Sequence, residues 1–222
     1  CVYPALVPVL LATGSPSSQV VASVTGSGFS LMALAGAVAM ELLIGLVIGF
    51  GASLPMSGMQ LGGHMIDQQM GLGLASIFNP ELQAESSITG EFYFIMAMCI
   101  FLVLGGHRVL LRTLLDSFTR IPLAGFRPDG HMMDLVLALL ATMFELAIRV
   151  AAPLLCLVFL ETVAMGFIAR TVPQMNILSV GFPIRILMGV SLLIAAVGIH
   201  AMVFTESMQK TLQMVGSYFG AG

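Results

Sequence analysis

Few side chains in this chain are able to do chemistry, and their spacing limits what that chemistry can be. His64 and Asp67 stand three residues apart, which puts an imidazole and a carboxylate on one helix face, an arrangement able to hold a metal ion. Two ligands do not complete a site and no third follows at a matching interval, so the pair is read as a polar contact inside the protein. Glu41 stands in an apolar run, where a carboxylate is costly and can relay protons. No second titratable residue is near it, so it is read as bonded to a neighbouring helix. Glu145 and Arg149 are four apart, and each lowers the cost of carrying the other into apolar surroundings, either as a lock at an interface or as a local ion pair. Arg112, Asp116 and Arg120 repeat the interval of four and stack a carboxylate between two guanidinium groups, a pattern that stabilises a helix surface or recognises an acidic tail. His107 and His200 are single and read as structural.

No known catalytic arrangement is present. The only lysine is Lys210, so no Gly-Lys-Ser or Gly-Lys-Thr phosphate loop exists, and there is neither a Gly-x-Ser-x-Gly elbow nor a His-Glu-x-x-His zinc motif. Cys1, Cys99 and Cys156 are odd in number, far apart and set in apolar sequence, which fits neither a disulfide framework nor a metal site. No catalytic, cofactor-binding or metal residue is assigned. The 17 methionines are densest at Met56, Met59, Met65 and Met70, where flexible thioethers can seal against varied surfaces or simply fill space.

The elements that must position these residues are apolar helices. Hydrophobic residues make up 58% of the chain and charged ones 9%, with mean hydropathy +1.04, against charge on about a quarter of residues in a soluble domain. Asp, Glu, Lys and Arg are absent from Cys1 to Met40 and again from Ile186 to Thr205, runs long enough for a helix to cross a hydrocarbon core about 30 Å thick. These runs do not alternate apolar with polar residues as a spanning barrel would, so strands are the weaker reading and the fold is taken as all-α and membrane-integral. A net charge of -3 offers no basic surface for nucleic acid.

Along the chain, Gly14 to Gly28 reads as a loop and Phe29 to Leu54 as the first complete helix, with Gly45 and Gly49 spaced to admit a close helix neighbour. Pro55 follows, and Gly58 to Phe78 mixes Gly with His64, Asp67, Gln68 and Gln69, so it should face protein or water. Asn79 to Gly90 reads as a loop. Phe92 to Leu104 is a helix that bends at Gly105-Gly106-His107 into a second one, where arginines cluster and the positive-inside rule points to the cytoplasm. Ile121 to Gly130, with two prolines and two glycines, divides the chain into halves. Met132 to Ala169 is a long helix interrupted by Glu145, Arg149 and Pro153, Thr171 to Gly181 a turn, and Ile184 to Phe204 the return helix with a polar continuation. The second half is a helical hairpin.

Several short motifs, in order, resemble the FliR family, the R subunit of the flagellar type III export gate. They are Ile66-Asp67-Gln68-Gln69-Met70-Gly71-Leu72-Gly73-Leu74-Ala75 followed by Asn79-Pro80; Gly105-Gly106-His107 with Asp116-Ser117-Phe118 and Ile121-Pro122; and Ala169 to Asn176 closed by Val180-Gly181-Phe182-Pro183. Ala151 to Leu155, the Gln174 to Asn176 turn and Phe182-Pro183-Ile184-Arg185 also resemble the two-helix FliQ subunit. The resemblance implies helical hairpins in which a P-like half, residues 1–128, is fused to a Q-like hairpin, residues 129–222. The family's first apolar helix is not found before Cys1, and a chain missing its true start is the expectation.

The resemblance further implies a pore-forming, non-enzymatic subunit without cofactor. It would join P and Q subunits in the bacterial inner membrane within the flagellar basal body, with a B subunit at the entrance, and pass unfolded flagellar subunits. It places Gln69, Gly71, Gly73, Phe78, Asn79 and Pro80 at a plug-like loop, and Pro173, Gln174, Asn176, Phe182 and Pro183 at an entrance turn. Glu41, Asp67, Glu145 and Arg149 are then expected as buried charges that serve assembly. The rival readings are the injectisome counterpart and, from another class, a secondary transporter with broken helices and buried charges.

Overall fold

The computed structural model describes residues 31–72, 87–120, 130–171 and 177–219. Among the described residues every element is a helix: α1 (Leu31–Met70), α2 (Ile88–Val103), α3 (Gly106–Arg120), α4 (Gly130–Thr171) and α5 (Ile177–Phe219). Val38–Met70, Gly130–Thr171 and Val180–Phe219 are long and apolar enough to cross a membrane. The α2–α3 pair, bent by 65°, makes a fourth if it counts as one broken span.

The bend falls where the glycines predict it. Gly105 has φ 69°, a left-handed conformation that costs a residue with a Cβ about 1–2 kcal/mol, and its N–H closes the end of α2 on the carbonyl of Leu102. α1 ends the same way at Gly71, φ 78°. There the Gly71 N–H donates to Gln68 O and the Leu72 N–H to Asp67 O, the bond pair of a Schellman cap.

Two prolines, Pro55 and Pro183, do not end helices as expected, while Pro153 lies inside a long helix as read from the sequence. α1 runs through Pro55, α4 through Pro153 and α5 through Pro183. A proline removes one ladder bond, which helices in an apolar setting tolerate when neighbours satisfy the freed carbonyl. The helix expected over Phe29 to Leu54 therefore continues to Met70, and Phe182 and Pro183 lie in the first turns of α5 instead of in a turn. Likewise α2 begins at Ile88, inside the expected loop, because Ser87 caps it by accepting from the Gly90 N–H at 2.8 Å.

Polar side chains within the helices are mostly satisfied by their own backbone. Thr113, Thr162 and Thr205 donate to the carbonyls four residues earlier, and Ser117, Ser191 and Ser217 to those three earlier. This is how Thr113 and Ser117 are buried on α3 at little cost.

The chain forms two compact units, each discontinuous in sequence. One comprises residues 1–52, 107–138 and 212–222, and its buried side chains include Ile44, Val47 and Ile48 of α1, Leu135 of α4, and Val215 and Phe219 of α5. The other comprises residues 53–106 and 139–211, with a core that includes Met59, Ile66, Met70, Tyr93, Leu146, Val150, Leu154, Phe204 and Met208. Met59 and Met70 are thus packing residues of this second unit.

Backbones approach closely inside the second unit, but not at the expected glycines. Gly45 and Gly49 have nothing within 4 Å of a would-be Cβ, whereas Gly58 faces the carbonyl of Met143 at 2.9 Å and Gly62 faces Val150 at 3.0 Å. Gly58 and Gly62, themselves four apart, let α1 meet α4. Gly63 meets Gly90, whose Cα lies 2.5 Å from where a Cβ would be, so α1 and α2 touch backbone to backbone.

Candidate functional site

No reacting centre gathers among the described residues; what gathers is a set of polar links between helices. The most developed is at Asp67, only 6% exposed near the end of α1. Its Oδ2 accepts from Ser87 Oγ at 2.5 Å and from the Thr89 N–H at 3.0 Å, and its Oδ1 accepts from the Thr89 hydroxyl. Ser87 and Thr89 belong to the first turn of α2, so the carboxylate also sits where the helix presents unpaired N–H groups and positive dipole. Because the Asp67 carbonyl accepts from Leu72, one residue ties down the chain on both sides of residues 73–86. The Gly63–Gly90 contact lies one helical turn away and holds the two helices close enough for the clasp to form. Asp67 is therefore a polar interior contact, as read from the sequence, with oxygens engaged by hydroxyl and amide donors. Among the described residues no three of His, Cys, Asp and Glu come together as a metal site would require.

A second link joins α2 to α5. The buried Tyr93 hydroxyl meets His200 Nδ1 at 2.5 Å, and the rings stand edge to face with centroids 5.3 Å apart. His200 Nε2 is also buried and has no hydrogen-bond partner. A third joins α4 to α5: Arg185 donates from Nε at 3.0 Å and from its terminal nitrogen at 2.8 Å to Glu161 Oε2, and reaches Thr162 Oγ1 at 3.3 Å. The Glu161 side chain is 5% exposed and that of Arg185 29%.

Glu145 and Arg149 form the ion pair that their spacing predicts. They pair at 2.6 Å, but their side chains are 45% and 50% exposed, and Glu206 and Lys210 of α5 extend the group at 3.9 and 3.8 Å. Within the chain by itself the pair lies on an outer face. Glu41 is half-buried on α1. Arg112 and Asp116 are exposed on α3. Of the residues expected at the plug-like loop, Gln69 is exposed in the last turn of α1 and Gly71 forms its cap, while Gly73, Phe78, Asn79 and Pro80 lie outside the described residues. Pro173, Gln174 and Asn176 of the expected entrance turn also lie outside them.

Sequence reasoning missed Glu161, Tyr93 and the two hydroxyl donors to Asp67. Glu161 and Arg185 are each a lone charge in an apolar run, and that was the available signal. Their separation of 24 residues has no helical periodicity to join them. Ser87 was detectable as a cap, since Ser is a favoured N-cap residue and the acidic Glu91 follows in the first turn of an apolar helix.

With the geometry in view, the relatives agree on one family. Residues 4–211 match the family described as bacterial export proteins, family 1. The chain is similar to the flagellar biosynthetic protein FliR of Bacillus subtilis, 31% identical over 79% of this chain and 72% of the relative, and to that of Escherichia coli K12, 29% identical over 75% and 64%. It is also similar to the Yop proteins translocation protein T of Yersinia pestis, 32% identical over 71% of this chain and 60% of the relative. The chain thus spans roughly three fifths to three quarters of the length of these relatives. A match that takes in nearly all of α1 to α5 makes this chain a member of the bacterial export proteins, family 1.

Proposed function

We propose that this chain is a pore-forming subunit of the type III protein export gate of the bacterial flagellum, passing unfolded flagellar proteins across the inner membrane. The observation that carries this reading is the length of apolar surface left exposed on α4. Large apolar side chains stand out from Met133 through Phe144, Phe159 and Phe167 to Ile168, about 35 residues or about 52 Å of helix. A hydrocarbon core of about 30 Å, crossed even at about 40° of tilt, shelters only about 39 Å of helix. The remainder calls for cover by protein, which a multi-subunit gate supplies and a lone carrier in lipid does not.

On this reading P and Q subunits provide that cover and a B subunit sits at the entrance. The halves divided at 121–130 act as a P-like part and a Q-like hairpin formed by α4 and α5. Export then works by shape and packing, and the polar links found join helices within the chain. Asp67 holds the flanks of the segment that includes Phe78, Asn79 and Pro80, which the reading assigns to the closed pore. The Yersinia relative, named for translocation of Yop proteins and as similar in identity as the flagellar ones, supports the injectisome counterpart as a second reading.

The test is deletion of the gene followed by assay of secreted protein, with co-purification of the tagged chain. Loss of hook and filament proteins from the medium, together with P and Q subunits on the tagged chain, supports the flagellar gate. Loss of effector secretion with intact motility favours the injectisome. Normal secretion of both, or small-solute uptake by vesicles holding the purified chain alone, overturns the proposal.

A further inference from the structure

The outward side of α3 combines two kinds of side chain, cationic and apolar. Arg108, Leu111, Arg112 and Leu115 follow the i, i+3, i+4, i+7 spacing of one helix face, and all four are exposed. Leu111 is 58% exposed and Leu115 65%. The opposite face is turned inward: Thr113 and Ser117 are buried there, with their hydroxyls bonded to carbonyls of α3 itself. Neither Arg108 nor Arg112 takes part in an ion pair among the described residues. Asp116, the acidic residue of α3, stands at the edge of the face and has a contact of its own.

A face that is half guanidinium and half hydrocarbon calls for a cover with an anionic part and an apolar part side by side. Two observations select lipid. With 15 residues α3 is about 22 Å long, too short by itself to cross a hydrocarbon core of about 30 Å, and the left-handed Gly105 breaks it from α2. The order of exposed groups along the chain is the second. From Phe92 through Ile95 and Leu102 to Val103, which is 87% exposed, and Leu104, the large outward side chains are apolar, and the first cation, Arg108, comes directly after that run ends. Hydrocarbon followed by phosphate is the order met on leaving a leaflet, and an arginine stem lies along the first while its guanidinium reaches the second.

We propose that the outer face of α3 is a binding surface for anionic phospholipid: the helix lies along the bilayer surface, Leu111 and Leu115 enter the acyl region, and Arg108 and Arg112 hold headgroup phosphates. The inference rests on the membrane placement adopted above and not on the role in export.

The chain holds no tryptophan, so a single introduced one reports its own surroundings. The full chain carrying Leu115→Trp is reconstituted into vesicles of phosphatidylcholine and phosphatidylglycerol in which one lipid or the other is brominated in its acyl chains. At equal mole fraction, quenching by brominated phosphatidylglycerol should exceed that by brominated phosphatidylcholine. Arg112→Gln should lower this preference about fivefold, and Arg108→Gln together with Arg112→Gln should bring it close to parity. Leu111→Trp repeats the measurement one turn away. Phe159→Trp, at a position 72% exposed on α4, should be quenched by both lipids alike. Absence of quenching at both α3 positions, equal quenching there by the two lipids, or an unchanged preference in the double glutamine variant overturns the proposal. So does shielding of both α3 tryptophans by an acidic polypeptide that stays with the purified chain. Quenching at Phe159→Trp alone sinks this proposal and leaves the membrane placement standing, whereas its absence there removes the placement as well. Secretion assays read the export role separately.

Discussion

Replacing Asp67 isolates how much the clasp between α1 and α2 contributes. Asp67→Ala removes the acceptor of three hydrogen bonds and leaves the Thr89 N–H and hydroxyl, both in the buried part of the first turn of α2, without a partner. Side-chain hydrogen bonds between helices in membrane proteins are worth about 0.6 kcal/mol on average and up to about 1.7, so three of them give about 2–5 kcal/mol. Asp67→Asn is the control that separates geometry from charge. Its carbonyl oxygen, placed where Oδ2 lies, still accepts from Ser87 and the Thr89 amide, and its NH₂ donates to the Thr89 hydroxyl, which turns from donor to acceptor. What it loses is the anion at the start of α2, about 0.3–1 kcal/mol. Thermal unfolding of the detergent-solubilised chain followed by circular dichroism is the assay. At about 2–4 °C per kcal/mol the alanine variant should unfold about 10 °C lower and the asparagine variant about 2 °C lower. Thr89→Val in the Asp67→Ala background should recover part of the loss, because it removes the orphaned hydroxyl. Equal losses for alanine and asparagine, or a shift under 2 °C for alanine, would refute the assignment of Asp67 as a hydrogen-bonded anchor.

Gly63→Val should prevent folding, since a Cβ would stand 2.5 Å from Gly90 Cα and 2.7 Å from its nitrogen, while Gly36→Ala, with nothing within 4 Å, should be silent; monodispersity in gel filtration distinguishes them. Glu161→Ala should destabilise the chain by about 3–5 kcal/mol through the partly buried guanidinium it strands, and Glu161→Gln with Arg185→Met should restore most of that; thermal unfolding reads both. Tyr93→Phe should cost about 1–3 kcal/mol because it leaves both ring nitrogens of His200 unpartnered, and His200→Leu in that background should regain part of the loss in the same assay.

The helices and the bend between α2 and α3 were legible because their signals are local. Hydropathy over 20 residues marks a span, and Gly105-Gly106-His107 marks a left-handed break, wherever the rest of the chain lies. Prolines misled at Pro55 and Pro183 because the rule that ends a helix at proline comes from helices in water, where a broken ladder exposes backbone to a competing solvent. Pairing was legible only at i,i+4: Glu145 with Arg149 was found, but its exposure was not, because apolar residues surround that pair on every side in sequence. The links at Asp67, His200 and Glu161 span 20 to 107 residues, and nothing in one sequence ties Tyr93 to His200. Gly45 and Gly49 carry the right spacing for a helix contact, but spacing does not say whether the partner is in the same chain; within this one it is Gly58 and Gly62 that are used.

The kind of contact found between helices follows from the solvent. Where lipid or another apolar subunit lies outside, moving Leu or Phe from the outer face to the inner one gains little, so apolar burial does not choose one helix register over another. Directional contacts then decide it, and four crossings within the second unit have one: glycine backbone contact and the Asp67 clasp for α1 with α2, Gly58 and Gly62 for α1 with α4, Tyr93 with His200 for α2 with α5, and Glu161 with Arg185 for α4 with α5. Each places its polar atoms between helices and leaves outward faces to apolar side chains such as Phe159, Phe167 and Leu187. A subunit built this way has an interior specified by a handful of polar bonds and an exterior free to accept lipid or protein. Substitutions at the links should therefore lower stability before assembly is reached, whereas substitutions at Phe159 or Phe167 should spare the chain's own fold and act on what packs against it.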